Sequence, residues 1–285
     1  MEYKLASSYG FCNGVINALK IVKDTVNNNQ NSKIFMLNNV VHNQHVVDEL
    51  KDNGIIILND KRTLEEKISS IKDGIVIFSA HGHDEKLDII AKNNNLVIVD
   101  AICPKVKYSF SLIKDALKSK TVIFIGIKGH EETEACLSIS KNIIFIDYKN
   151  PDFNLIKPNT IYSIHNQTTL SQSELNNIYK NILKISPDSE IKNDICFSTL
   201  NRQKALEEVK DEDLIIIIGD PSSSNSMRLF EVSNRLYPNK KTLFISDVNE
   251  IKTLKLNQYK KCFITAGAST PPQIIKQIVN YIASI

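Results

Sequence analysis

Three cysteines, Cys12, Cys103 and Cys196, stand 91 and 93 residues apart in a chain of 285 residues, close to three times that interval. A repeat of this length constrains the fold more than any single motif does, provided the flanks repeat too. They do. Apolar residues recur at helical spacing after each cysteine: Val15, Ile16, Leu19, Val22 and Val26, then Val106, Phe110, Ile113 and Leu117, then more weakly Leu200, Ala205, Leu206 and Val209. An extended segment, Leu96–Val99, leads into Cys103, and the lead-ins to the other two cysteines are less clear. A strand follows in each third (Lys33–Leu37, Thr121–Ile127, Leu214–Ile218) and ends in a polar cluster: Val40–Val47, Lys128–Ala135 and Gly219–Leu229. A short strand without a cluster comes next, at Gly54–Leu58, Asn142–Asp147 and Thr242–Asp247. A last strand again delivers polar residues to a helix start, within Gly74–Lys86, Thr160–Glu174 and Cys262–Gln273.

Alternating strands and helices imply a parallel α/β lobe in each third. The expected divisions are residues 1–101, 102–194 and 195–285, three similar small parallel-sheet lobes with pseudo-threefold symmetry. Ligands of such sheets collect beyond the carboxyl ends of the strands, where the polar clusters fall. Lobes arranged about a common axis would bring the three cysteines to one point. The competing reading, a single doubly wound sheet with scattered cysteines, leaves the repeat unexplained.

The N-terminal sequence lacks a basic start and a long apolar stretch, and the longest apolar runs are strand-length, so neither a secretory signal nor a membrane span is expected. A net charge of +3 without blocks of like charge gives no case for nucleic acid. The expected location is cytoplasmic, where the five cysteines are free, ligating or catalytic rather than disulfide-bonded. None forms a C-x-x-C pair, which excludes a zinc ribbon or a local ferredoxin motif. Cys136, inside a helix, and Cys262, in a strand, fall outside the repeat and read as core.

Three thiolates from three lobes could hold zinc, a [4Fe–4S] cluster or nothing, since free cysteines are commonly small buried hydrophobes. Three ligands leave one metal position open, as a catalytic metal requires. His42, His130 and the run Ser223, Ser224, Asn225 occupy equivalent places in the first clusters, and His81, Thr168 and Ser269 do so in the second. Helix N-termini present unpaired N–H groups and partial positive charge, so these places suit an anion such as a diphosphate. The same Ser, Thr and Asn positions also suit ordinary capping. No Walker-type loop is present. Reductive chemistry needs a proton donor, and either Glu131 or Glu132 beside His130 would serve; the residues alone do not choose between them. His45, His83 and His165 lie off the repeat positions and are left out of the site.

The segments YGFCNGV, DAICPKV, GHEETEA, NQTT, ICFSTLNRQ, SSNSMRL and GAS, in this order and covering nearly the whole chain, resemble the motif set of the 4-hydroxy-3-methylbut-2-enyl diphosphate reductase family. The resemblance implies a three-lobed α/β fold around a central [4Fe–4S] cluster ligated by Cys12, Cys103 and Cys196. It implies the last step of the non-mevalonate isoprenoid route: reductive dehydroxylation of the allylic alcohol diphosphate to isopentenyl and dimethylallyl diphosphates. By position it assigns substrate binding to His42, His81, His130, Thr168, Ser223, Ser224, Asn225 and Ser269, and the proton donor to Glu132. It also implies a ferredoxin or flavodoxin as electron donor. Ile102, Glu131 and the pair Ser7–Ser8 depart from the family pattern, at positions where threonine, proline, and basic or proline residues are usual. None of these removes a ligand. The alternatives are another three-lobed iron–sulfur enzyme resembling quinolinate synthase, which acts on a dicarboxylate, and a non-catalytic iron–sulfur sensor. The Ser-Ser-Asn run and the three histidines favour a phosphate over a carboxylate pair.

Overall fold

The computed structural model describes residues 1–285. The chain begins with β1 (Glu2–Leu5) and α1 (Asn13–Asn28), followed by β2 (Ile34–Met36), α2 (Gln44–Asp52), β3 (Ile55–Ile57), α3 (Leu64–Ser70), β4 (Ile75–Phe78), α4 (Lys86–Asn93) and β5 (Val97–Asp100). Then come α5 (Pro104–Ala116), β6 (Thr121–Gly126), α6 (Glu131–Ser138), β7 (Ile144–Asp147), β8 (Tyr162–Asn166), α7 (Gln172–Ile185) and β9 (Glu190–Ile191). The last third holds α8 (Phe197–Ala205), β10 (Leu214–Ile218), α9 (Ser224–Leu236), β11 (Lys241–Ile245), α10 (Val248–Lys252), β12 (Lys261–Ala266) and α11 (Pro272–Ser284). No helix is long and apolar enough to cross a membrane.

The strands form three four-stranded sheets, ordered β3-β2-β4-β5, β7-β6-β8-β9 and β1-β12-β10-β11, and every pairing is parallel. Parallel neighbours need long crossovers, which the intervening helices supply. The inner strands are covered on both faces and read as continuous apolar runs. Thus all five residues of β10, Leu214 to Ile218, are fully buried. Edge strands are shorter or half exposed, β9 having two residues, both exposed.

The three sheets share one order. Counting strands from the one after each cysteine, the second lies at one edge, the first and third lie inside, and the fourth closes the other edge. In the last sheet the fourth strand is β1, which pairs with β12 across almost the full length of the chain. This departs from the expected first division at 1–101: residues Glu2–Leu5 complete the sheet of the C-terminal third. The physical reason is that each strand leading into a cysteine closes the sheet of the preceding lobe. The strand leading into Cys12 is β1, and the sheet it closes is that of the last third. The unclear lead-ins to Cys12 and Cys196 are β1 and the two-residue β9.

The fold partitions into two compact units, one formed by Met1–Val15, Val41–Val46 and Cys196–Ile285, the other by Ile16–Val40 and Val47–Ile195. The first contains the sheet of β1, β10, β11 and β12, with a core of Leu214, Ile216, Ile264, Ile278 and their neighbours under α10 and α11. The second contains the other two sheets. There α5 packs Val106, Phe110 and Ile113 against Val122 and Phe124 of β6.

The polar clusters of the sequence follow the two inner strands of each sheet: β2 and β4, β6 and β8, β10 and β12. Between these strands the order reverses, and at such a switch point neighbouring connections leave on opposite faces and open a crevice. The short strands without clusters, β3, β7 and β11, are edges.

Candidate active site

The cysteines are placed by repeated backbone bonds. In the second unit, the N–H of Ala101 donates to Phe78 O (3.2 Å) and that of Cys103 to Ala80 O (3.0 Å). In the first, Gly10 N–H donates to Ala266 O (3.2 Å) and Cys12 N–H to Ala268 O (3.2 Å). Before Cys196 a side chain stands in for one carbonyl, with Asp194 N–H donating to Asn166 Oδ1 at 2.9 Å. Cys103 and Cys196 are extended residues immediately before α5 and α8, and Val15 N–H donates to Cys12 Sγ at 3.4 Å. All three thiols are partly exposed, whereas Cys136 and Cys262 are buried. Burial pushes the Cys262 thiol up to about 12 and raises that of Cys136 as well. A thiol at a helix N-terminus is favoured as the thiolate that ligates metal, and a buried apolar thiol is not. Each of the three repeat cysteines therefore has a setting whose chemistry suits an iron–sulfur ligand, and neither Cys136 nor Cys262 does.

Arg202, on α8, reinforces the first unit. Its guanidinium is buried and donates to Ser198 O (2.7 Å) and to Gly10 O, two residues before Cys12. Burial lowers its pKa, and negative charge on Cys12 and Cys196 acts in the opposite sense. Sequence reading missed this residue, since an arginine inside an amphipathic helix carries no signal of burial.

In the second unit five polar residues gather beyond β4, β6 and β8. His130 ends the loop after β6 and caps α6, its Nδ1 accepting from Glu132 N–H at 3.2 Å. The rings of His81 and His130 meet edge to face, with centroids 5.7 Å apart. His81 Nδ1 lies 3.0 Å from Glu131 Oε2. Glu132 points inward and is 1% exposed. Its Oε1 accepts from Thr168 N–H and its Oε2 from the Thr168 hydroxyl, both at 2.8 Å. Burial raises the Glu132 pKa to about 7; the two Thr168 bonds and the nearby His81 pull it down and only partly offset the desolvation. Of the two glutamates that the residues left open, Glu132 has the buried setting of a general acid.

In the first unit Ser223 caps α9, its Oγ accepting from Ser226 N–H at 3.4 Å, and Ser224 opens that helix. The Ser269 hydroxyl, beyond β12, donates to Ser223 Oγ at 3.0 Å. Asn225 Oδ1 accepts from Ala268 N–H (2.8 Å), and its amide donates to Thr199 Oγ1 (3.1 Å). Ser223, Asn225 and Ser269 thus form one group at the β10/β12 switch point. His42 lies in the short segment Val41–Val46, held to the loop after β10 by Gln44 N–H donating to Asp220 Oδ2 at 2.8 Å.

Glycines allow the helix starts to come this close. A Cβ at Gly126 would overlap Thr133 of α6, and one at Gly267 would overlap Ser226 of α9. The three excluded histidines are engaged elsewhere or exposed. His83 stacks on Phe78 at 3.6 Å and bonds Asp88 (3.2 Å), and His45 is exposed. His165 is fully buried in β8, between Ser163 (3.0 Å) and Asp194 (2.8 Å).

A sequence model of the LytB protein family matches residues 4–283. The chain belongs to the LytB family. Its relatives include the 4-hydroxy-3-methylbut-2-enyl diphosphate reductases of Shouchella clausii, 34% identical over 99% of this chain and 90% of that protein, and of Bacillus cytotoxicus, 36% identical over 97% and 88%. Among solved structures, the E-1-hydroxy-2-methyl-but-2-enyl-4-diphosphate reductase of Plasmodium falciparum superimposes with a TM-score of 0.87 at 28% identity, over 99% of this chain and 88% of that one. A second, described as (E)-4-hydroxy-3-methyl-but-2-enyl diphosphate reductase, the terminal enzyme of the non-mevalonate pathway, gives 0.68 at 26% identity over the full length of both chains. The three-lobed α/β architecture of this LytB chain is thus the one its sequence repeat and motif resemblance led us to expect.

Proposed function

We propose that this LytB protein is a 4-hydroxy-3-methylbut-2-enyl diphosphate reductase. It removes the allylic hydroxyl of its substrate with two electrons and two protons, releasing water and giving isopentenyl and dimethylallyl diphosphates. The observation that carries the reading beyond family membership is Glu132, a buried carboxyl raised to about 7 and held by both donors of Thr168. A carboxyl tuned in this way can give up a proton near neutral pH, which reductive removal of a hydroxyl requires. Full-length agreement with reductases of this name leaves no ground for a dicarboxylate enzyme or a non-catalytic sensor.

Cys12, Cys103 and Cys196 would hold one [4Fe–4S] cluster, a role supported by their repeat positions, helix-start settings and partial exposure. When bound, such a cluster supplies electrons one at a time and an iron without a protein ligand. The protein's own groups do the rest. His42, His81 and His130 offer imidazole N–H groups to the diphosphate. Ser223, Ser224, Asn225 and Ser269 add hydroxyl, amide and helix-start donors, which orient the anion and fix the reacting end. Thr168, with its hydroxyl at 2.8 Å from Glu132 Oε2, passes the proton of Glu132 toward the substrate. The electrons come from a ferredoxin or flavodoxin, and the protein works in the cytoplasm.

The test is an anaerobic assay of cluster-loaded protein with the hydroxylated allylic diphosphate and a reduced viologen. The expected result is formation of both isoprenoid diphosphates. No product from protein with a full complement of iron and sulfide would overturn the proposal.

A further inference from the structure

Glu131 sits beside the proposed acid, yet the reaction gives it no task. It is the first residue of α6, where any acidic side chain gains from the helix dipole. Its side chain instead reaches across to the loop after β4. Glu131 Oε2 lies 3.0 Å from His81 Nδ1 and accepts from the Ser79 hydroxyl at 3.1 Å. Ser79 Oγ in turn accepts the backbone N–H of His81 at 3.3 Å. The directions of these bonds follow from the chemistry. An ionised carboxylate only accepts, so the ring nitrogen facing it must carry a proton. The Ser79 proton is already directed to the same carboxylate.

We propose that Glu131 is a positioning residue that holds His81 with Nδ1 protonated, assigning Nε2 to the diphosphate as a hydrogen-bond donor. The imidazole is amphoteric. With Nδ1 protonated and the ring neutral, Nε2 is a lone pair and repels phosphate oxygen; only the cation offers Nε2–H as well. A carboxylate on Nδ1 favours the cation. Burial by itself would lower the His81 pKa, but the Glu131 hydrogen bond and the charges of Glu131 and Glu132 outweigh it and leave it raised. The side chains are only 18% and 21% exposed, so the pair is poorly screened by water.

The inference rests on the diphosphate reading of the site, and its test separates the two. The sign of the effect is diagnostic. Removing a negative charge close to an anion site should tighten anion binding by simple electrostatics. If Glu131 instead prepares His81, its removal weakens binding. Glu131→Gln keeps the shape and the acceptor for Ser79 but removes the charge. Inorganic pyrophosphate is titrated into the cluster-loaded protein by calorimetry at pH 7. The expected outcome is about tenfold weaker binding in Glu131→Gln, the scale of one charge-assisted hydrogen bond. The same change in a His81→Gln background should have no further effect. Glu134→Gln, one turn away and bonded only to Gly129 N–H, should leave binding within about twofold. Nitrogen-15 NMR of the His81 ring reads the second claim without substrate: both ring nitrogens stay protonated to higher pH in the parent than in Glu131→Gln. Unchanged or tighter pyrophosphate binding in Glu131→Gln, or a His81 ring titrating alike in both proteins, overturns the role of Glu131. A parent protein that does not bind pyrophosphate while the ring signal shifts would instead overturn the diphosphate reading, and with it the use of Nε2.

Discussion

Replacing Thr168 by valine gives a quantitative test of how Glu132 is tuned. The substitution preserves shape and the backbone N–H that donates to Glu132 Oε1, and deletes only the hydroxyl that donates to Oε2. Both donors favour the carboxylate, whereas burial favours the acid and sets the balance at about 7. On the proposed mechanism Glu132 works as the acid, so turnover should be full below that point and fall as the pH rises through it. A hydrogen bond to a charged group contributes about 1.5–3 kcal/mol, and about 1.4 kcal/mol is a factor of ten in proton affinity. With no second donor to replace it at a fully buried site, loss of the hydroxyl should move the alkaline limb to a proton concentration at least about tenfold lower. The assay is the pH dependence of kcat at saturating substrate, between about pH 6 and 9, with the viologen reductant in excess. Maximal kcat will also drop if Thr168 relays the proton, but that drop is separate from the limb. A limb that stays in place or moves to lower pH would refute the assignment of the titration to Glu132 and Thr168.

Further tests address other parts of the site. Glu132→Gln should bind substrate but lose turnover, and normal turnover would remove Glu132 as the acid. The same variant should gain stability. The folded pKa of Glu132 is raised from 4.5 to about 7, so stability present below about pH 4.5 is lost as pH rises to about 7. Above that point the buried charge costs roughly 3 kcal/mol that glutamine does not incur, or about 5 °C in melting temperature. Equal melting of the two proteins at pH 8 would contradict the burial argument. Cys103→Ser should abolish or severely weaken the [4Fe–4S] absorption of anaerobically reconstituted protein, while Cys136→Ala and Cys262→Ala keep it with a modest loss of stability. An intact cluster in Cys103→Ser would sink the ligand assignment. Gly267→Ala should destabilise the first unit by roughly 1–3 kcal/mol, because the new methyl overlaps Ser226 and forces α9 away from β12. Thermal unfolding within about 1 °C of the parent would show that the close approach is not required.

What is legible in the sequence is whatever local spacing encodes. The interval between cysteines, the apolar runs of the inner strands and the polar clusters that follow them are properties of neighbouring residues. The parallel lobes and the residues at their switch points can therefore be read from the order of residues alone. Cys136 and Cys262 can be set aside for the same reason, lying in the middle of a helix and a strand. What is not legible depends on residues far apart in the chain. Nothing in Glu2–Leu5 announces that it completes the sheet of β12, because an edge strand with one exposed face carries little pattern. Glu131 and Glu132 are adjacent and chemically identical. Only the packing of α6 against β6 and β8 buries one beside Thr168 and leaves the other at the edge with His81. Arg202 and Asp194 likewise owe their roles to partners the chain order does not reveal. Residue type and spacing determined the three cysteines and the fold that carries them. Desolvation and long-range pairing, which exist only once the chain is packed, decided which carboxyl can act as the acid.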